Sequence, residues 1–87
     1  MVSNTTVETL DLGSNHISDE GAAQIGGVLL KQNRALETLG LRSNRVTDEG
    51  AKLIAAGLRV NRVIEALSID GNNITDDGAR VIFDAIS

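Results

Sequence analysis

Hydrophobic positions recur along this chain in one fixed order. Val7, Leu10, Leu12 and Ile17 are answered one period later by Leu36, Leu39, Leu41 and Val46, and a further period on by Ile64, Leu67, Ile69 and Ile74. Within each set the middle two are separated by one residue, the alternation of a short strand with one buried face. Leu10 and Leu12, Leu39 and Leu41, and Leu67 and Ile69 are therefore expected to point into one interior. Because the sets follow one another in the same direction, the strands should stack as a parallel sheet, with neighbours about 4.8 Å apart. Val7, Leu36 and Ile64 would enter the core just before the strands, and Ile17, Val46 and Ile74 would close it just after them. The spacing then changes to a helical one: Ala22, Ile25 and Leu29; Ala51, Ile54 and Leu58; Ala79, Ile82 and Ile86. These stripes are expected to face the sheet.

Polar residues punctuate the same period. Asn15, Asn44 and Asn72 fall where the chain turns away from each strand, and a buried amide there can satisfy backbone groups of its own unit and of the next. Ser18-Asp19-Glu20-Gly21, Thr47-Asp48-Glu49-Gly50 and Thr75-Asp76-Asp77-Gly78 read as helix starts. Ser or Thr serves as N-cap, and the acids favour the positive end of the helix dipole. Gly21, Gly50 and Gly78 suggest that each helix begins close against the sheet. The chain has no proline, so the helices should end at Gln32-Asn33 and Val60-Asn61, asparagine tolerating a left-handed turn. The first unit holds one more residue between Gly21 and Asn33 than the second holds between Gly50 and Asn61. Leu29 and Leu30 then compete for the slot that Leu58 fills, and a local helix irregularity is expected there.

A period of about 29 residues from the first unit to the second, and one residue shorter from the second to the third, signals a solenoid. The phrase L-x-x-L-x-L-x-x-N-x-I/V with a helical second half resembles the leucine-rich repeat family. Its length and its S/T-D-E-G-A helix start are similar to the ribonuclease-inhibitor type, in which the asparagine position is often cysteine. The resemblance implies an α/β solenoid of about three repeats, a short parallel sheet on the concave side and α-helices on the convex side. Residues 1–87 form one such segment, with repeats at about 7–34, 36–62 and 64–87. Residues 1–6 read as the tail of a preceding repeat, since Asn4-Thr-Thr-Val7 matches Asn33-Arg-Ala-Leu36 and Asn61-Arg-Val-Ile64. Neither end carries a polar cap, so the segment is expected to belong to a longer solenoid, or to have its ends covered by a partner or by self-association.

Composition narrows the chemistry. With 41% hydrophobic residues and a net charge of -4, the chain is of soluble globular type. No apolar run approaches the roughly 18 residues of a spanning helix, and Met1-Val2-Ser3-Asn4 lacks the pattern of a signal peptide. A cytoplasmic, intracellular location without membrane contact is the expectation, under which the sequons Asn4-Thr5-Thr6 and Asn73-Ile74-Thr75 carry no glycan. Without cysteine there is no disulfide or thiolate chemistry. One histidine, His16, lies on a turn where Arg45 and Asn73 stand in the sister units. No nucleophile has an activating partner, the glycines follow the repeat rather than forming a phosphate loop, and the paired acids are explained as caps. Neither enzyme activity, a metal nor a cofactor is expected. Mild acidity and a single aromatic residue, Phe83, exclude the basic, stacking surface that nucleic acid requires.

What remains is recognition of another protein by the exposed strand positions, which in this architecture line the concave face. The columns read Glu8, Glu37, Glu65; Thr9, Thr38, Ala66; Asp11, Gly40, Ser68; and Gly13, Arg42, Asp70. Candidate protein-binding residues are Glu8, Asp11, Glu37, Arg42, Glu65, Ser68 and Asp70. The glutamate column either attracts a basic partner or is neutralised by Arg34 and Arg62, of which the pairing takes precedence. A surface poor in Trp, Tyr and Arg should bind weakly. The resemblance also implies narrower roles: a sensing region of the ribonuclease-inhibitor or NOD-like-receptor kind, or a regulator similar to the GTPase-activating protein for Ran. A third reading, of a different class, is an architectural segment of a large assembly whose bare ends are covered by neighbours.

Overall fold

A computed structural model describes residues 8–61 and 63–86. Three short strands, β1 (Thr9–Asp11), β2 (Thr38–Gly40) and β3 (Ala66–Ser68), form a parallel sheet in that order. Thr9, Thr38 and Ala66 share one rung, Leu10, Leu39 and Leu67 the next, and Asp11, Gly40 and Ser68 the third, which is the stacking expected from the period. Between and after the strands run helices α1 (Asp19–Gln24), a π-helical segment (Ile25–Leu29) continuing into α2 (Leu30–Gln32), α3 (Asp48–Val60) and α4 (Asp76–Ile86). None of the described helices is long and apolar enough to cross a membrane.

Position within the stack sets burial. In the second unit Leu36, Leu39, Leu41 and Val46 are sealed from solvent, because a unit lies on either side. Their counterparts Leu10, Leu12 and Ile17 in the first unit and Ile64, Leu67, Ile69 and Ile74 in the third are only partly buried. Full burial of one such side chain contributes about 1.5–3 kcal/mol, so the middle unit carries a disproportionate share of the core. Val7, the tail at 1–6 and Arg62 lie outside the described residues.

The expected irregularity is the π-helical segment, which takes up the extra residue of the first unit in one wide turn. Leu30 wins the slot, fully buried, and Leu29 packs only partly. Two other expectations about the helices fail. On α4, Ile82 and Ala85 are buried, but Ala79 is exposed and Ile86 is 56% exposed. For Ala79 the reason is that the position it shares with Ala22 and Ala51 points sideways toward the following helix: a Cβ on Gly50 would stand 3.0 Å from the Ala22 methyl. The helix-start glycines likewise do not press on the sheet. A Cβ on Gly50 would run into an Asp19 carboxylate oxygen and stand 2.7 Å from Val46, and one on Gly78 would meet Asp48 and Ile74 in the same way. The closest helix approach is elsewhere, where Gly26 lies against α3: a Cβ there would collide with the Leu53 carbonyl oxygen.

Asn33 and Asn61 end their helices in extended conformation, with ψ of 123° and 117°, and not in a left-handed turn. Left-handed backbone occurs instead just past the strands, at Ser14 (φ 60°), Ser43 (φ 58°) and Gly71 (φ 77°), and at exposed His16 (φ 56°). Chain reversal is therefore local to the strand exits, and the helix exits are held by side chains.

Candidate protein-binding face and the ladders behind it

Three sets of side chains tie each unit to the next. Asn44 accepts from the Asn15 and Ile17 N–H groups of the preceding unit, both at 2.9 Å, and its amide donates to the Leu12 carbonyl at 2.9 Å and the Leu41 carbonyl at 3.2 Å. Asn72 repeats this one unit on, accepting from Val46 N–H at 3.0 Å and donating to Leu41 and Ile69 carbonyls. Exposed Asn15 donates only within its own unit, to the Gly13 carbonyl at 3.1 Å. The expected asparagine ladder is thus present, running backward along the chain.

A second amide ladder stands at the helix exits. Asn61 donates to the Leu30 and Asn33 carbonyls of the preceding unit at 2.9 and 2.8 Å, while its side-chain oxygen accepts from Val63 and Ile64 N–H. Asn33 accepts in the same way from Ala35 and Leu36 N–H, both at 2.8 Å. Both side chains are buried. The signal that could have found this role was the alignment of Asn33 with Asn61 before an apolar residue three positions on.

The third ladder runs forward and corrects the capping account. Asp19 accepts from the Thr47 N–H at 2.8 Å and hydroxyl at 2.5 Å in the following unit. Asp48 does the same for Thr75, with N–H at 2.7 Å and the hydroxyl closer still. Hydrogen bonds from the Thr47 side chain and backbone hold the Asp19 carboxyl below the usual carboxylate range, and those from Thr75 lower Asp48 likewise. Ser18 makes no side-chain cap bond; Thr47 caps Glu49 N–H at 3.3 Å. The aspartates are interlocks between units, and Gly50 and Gly78 leave room for them.

With the backbone satisfied from behind, the strand side presents its side chains outward. Glu8, Asp11, Glu37, Arg42, Glu65 and Asp70 are exposed and Ser68 is half-buried. Backbone bonds from Glu37 N–H to Glu8 carbonyl and from Glu65 N–H to Glu37 carbonyl, each 2.8 Å, place the three glutamates on successive rungs. The expected neutralisation of Glu37 by Arg34 is absent: among the described residues the ion pairs are Arg42 with Asp70 at 3.0 Å and Lys52 with Glu49 at 3.4 Å. Arg34 sits three residues before Glu37 in a segment whose geometry is set by the buried Asn33 amide, and that geometry does not bring the two charges together. Asp11 bends over its neighbour, accepting from Gly13 N–H at 2.9 Å, and a Cβ on Gly40 would stand 3.0 Å from it. Among the described residues no acidic or histidine cluster could hold a metal ion. A cavity of about 150 Å³ lies away from this face, at the outer end of the helical layer, lined by Leu58, Asn61, Ile64, Ala85 and Ile86.

Comparison with known proteins bears on this arrangement. A family profile described as Leucine Rich repeat matches residues 3–26, 32–55 and 60–83. No curated protein matches the chain. Among solved structures, the actin-binding site 2 of leiomodin-1 superposes with a TM-score of 0.78 at 18% identity, over 98% of this chain and 65% of that one. The chain thus spans just under two thirds of that neighbour's length, and at this identity the likeness is one of fold. Three profile matches in phase, a parallel sheet in the same phase and helices returning on one side agree, and the chain belongs to the leucine-rich repeat family.

Proposed function

We propose that this chain is a non-catalytic protein-interaction module of the ribonuclease-inhibitor-like repeat type, which uses its concave strand face to bind a protein segment rich in Lys and Arg. The observation that carries the reading is the column Glu8, Glu37, Glu65: three exposed carboxylates on successive rungs, with Arg34 not paired to Glu37. Strand spacing puts such carboxylates about 5 Å apart, so each raises the potential at the next and the three attract a cationic side chain together. Asp11 and Ser68 lie beside the column, and the Arg42–Asp70 pair at its far side is exposed enough to exchange partners. Lacking aromatic anchors, the face binds weakly and with strong salt dependence. A cytoplasmic location fits a chain without cysteine.

An NMR titration with a lysine-rich decapeptide tests this. Amide shifts should concentrate on Glu8, Glu37, Glu65 and their strand neighbours, and Glu8→Gln, Glu37→Gln, Glu65→Gln together should abolish them. Shifts confined to α3 and α4 would refute the reading. Because the name of the structural neighbour specifies actin binding, co-sedimentation with actin filaments is the first partner-specific assay to run.

A further inference from the structure

Repeated polar contacts between units pair one outgoing with one incoming set of groups. The outgoing set is a glutamate carbonyl before the strand, an aspartate in the helix start, and the Asn15/Ile17 type N–H groups. The incoming set is a strand-entering N–H pair, a Ser or Thr hydroxyl with its N–H, and the asparagine amide. The third unit presents the outgoing set to solvent. The Glu65 carbonyl stands where those of Glu8 and Glu37 each accept two N–H groups, and exposed Asp76 stands where Asp19 and Asp48 hold threonines. The outer side of α4 is apolar along Ala79, Phe83 and Ile86, with the last two 66% and 56% exposed. The first unit presents the incoming set: exposed Ser18, with no side-chain cap bond, and exposed Asn15, which reaches no neighbouring unit.

We propose that these two faces fit one another, so that the first unit of a second copy docks on the third unit and continues the stack. This goes beyond partner binding by the concave face and does not depend on it. In the docked pair Ser18 donates to Asp76 as Thr47 does to Asp19, Asn15 accepts from Ile74 N–H and donates to the Ile69 carbonyl, and β1 extends the sheet beyond β3. The fit is looser than inside the chain at one point. Phe83 stands where the inner interfaces carry Gly26 and Ala55, so the helices meet at greater distance. Such a contact is heterologous, joining one face of a copy to the opposite face of the next, so it adds copies end to end.

Sedimentation equilibrium of the whole chain from about 10 μM to 1 mM tests the proposal, these being concentrations where weak contacts saturate. The expected result is an average mass that rises continuously with concentration past that of a dimer. Asp76→Lys and Ser18→Asp, both at exposed positions and checked for folding by circular dichroism, should each weaken association by about tenfold, the loss expected for a charge-assisted hydrogen bond. Mixing the two variants should restore it, because the mixture regains one unaltered interface and gains one with opposite charges. A monomer across the whole range, association that stops at a dimer, or association that both variants leave intact would each overturn the proposal. So would a mixture no more associated than its components.

Discussion

Replacing Asn44 by alanine isolates the ladder that joins the first unit to the second. The Leu41 and Arg42 carbonyls keep other donors, the Asn72 amide at 2.7 Å and Ser14 N–H at 2.9 Å. Asn15 N–H, Ile17 N–H and the Leu12 carbonyl lose theirs. Partly buried groups left unpaired cost about 1 kcal/mol each at the low end of the range, so the loss is about 3 kcal/mol. A chain of this length has about 4–13 kcal/mol of stability in all, and the midpoint of thermal unfolding should fall by about 12–24 °C. Asn72→Ala, which frees fewer groups, should cost about 2 kcal/mol, and Asn15→Ala, exposed and bonded only to Gly13, less than about 0.5 kcal/mol. With neither Trp nor Tyr in the sequence, urea titration followed by far-ultraviolet circular dichroism is the assay. Equal losses at the three positions, or a larger loss at Asn15 than at Asn44, would refute the reasoning, since identical residues would then act by local propensity and not by what they hold together.

Acid should loosen the stack. Asp19 and Asp48 have carboxyls lowered by their threonine partners, so their stabilisation is complete above the unfolded value of about 3.9 and is lost as pH falls through it toward the lower folded values. Urea midpoints measured between about pH 6 and pH 2 should drop in that window, and Asp19→Asn with Asp48→Asn should flatten the drop. Adjacent glycines should respond with opposite sign: Gly27→Ala, into open space, should raise stability by about 0.5–1 kcal/mol, whereas Gly26→Ala, against the Leu53 carbonyl, should lower it by about 3 kcal/mol or more in the same titration. Gly71→Ala should cost about 1–2 kcal/mol, because its φ of 77° is left-handed and a Cβ would crowd Ser43 at 3.1 Å. Deleting Gly27 should convert the π-helical turn to regular helix with a stability change under about 1 kcal/mol, visible as unchanged unfolding cooperativity.

The repeat period made the strand register readable, because alternate apolar residues in three copies admit one stacking. The extra residue before Asn33 made the π-helical turn readable for the same reason. The aspartate interlocks were not readable. An acid at the start of a helix already has a sufficient local reason to be there, and nothing in the chain marks that its partner is the threonine opening the next helix. Asn33 and Asn61 were hidden in a similar way, since asparagine after a helix fits a left-handed turn as well as a buried amide, and only burial separates the two. For the strand side chains, position along each rung was legible and charge pairing was not. Arg34 and Glu37 are close in sequence, but the Asn33 amide directs the intervening backbone.

Side-chain ladders from neighbouring units holding the non-helical, non-strand backbone are what this solenoid rests on, and amide hydrogen exchange measures that directly. Ile17, Val46, Thr47 and Thr75 lie outside the named strands and helices, and each donates its N–H to an Asn or Asp side chain of a neighbouring unit. Their protection should approach that of the α3 core, with Ile54 as reference. Exchange at these four sites as fast as at the exposed turn residue His16 would contradict the account.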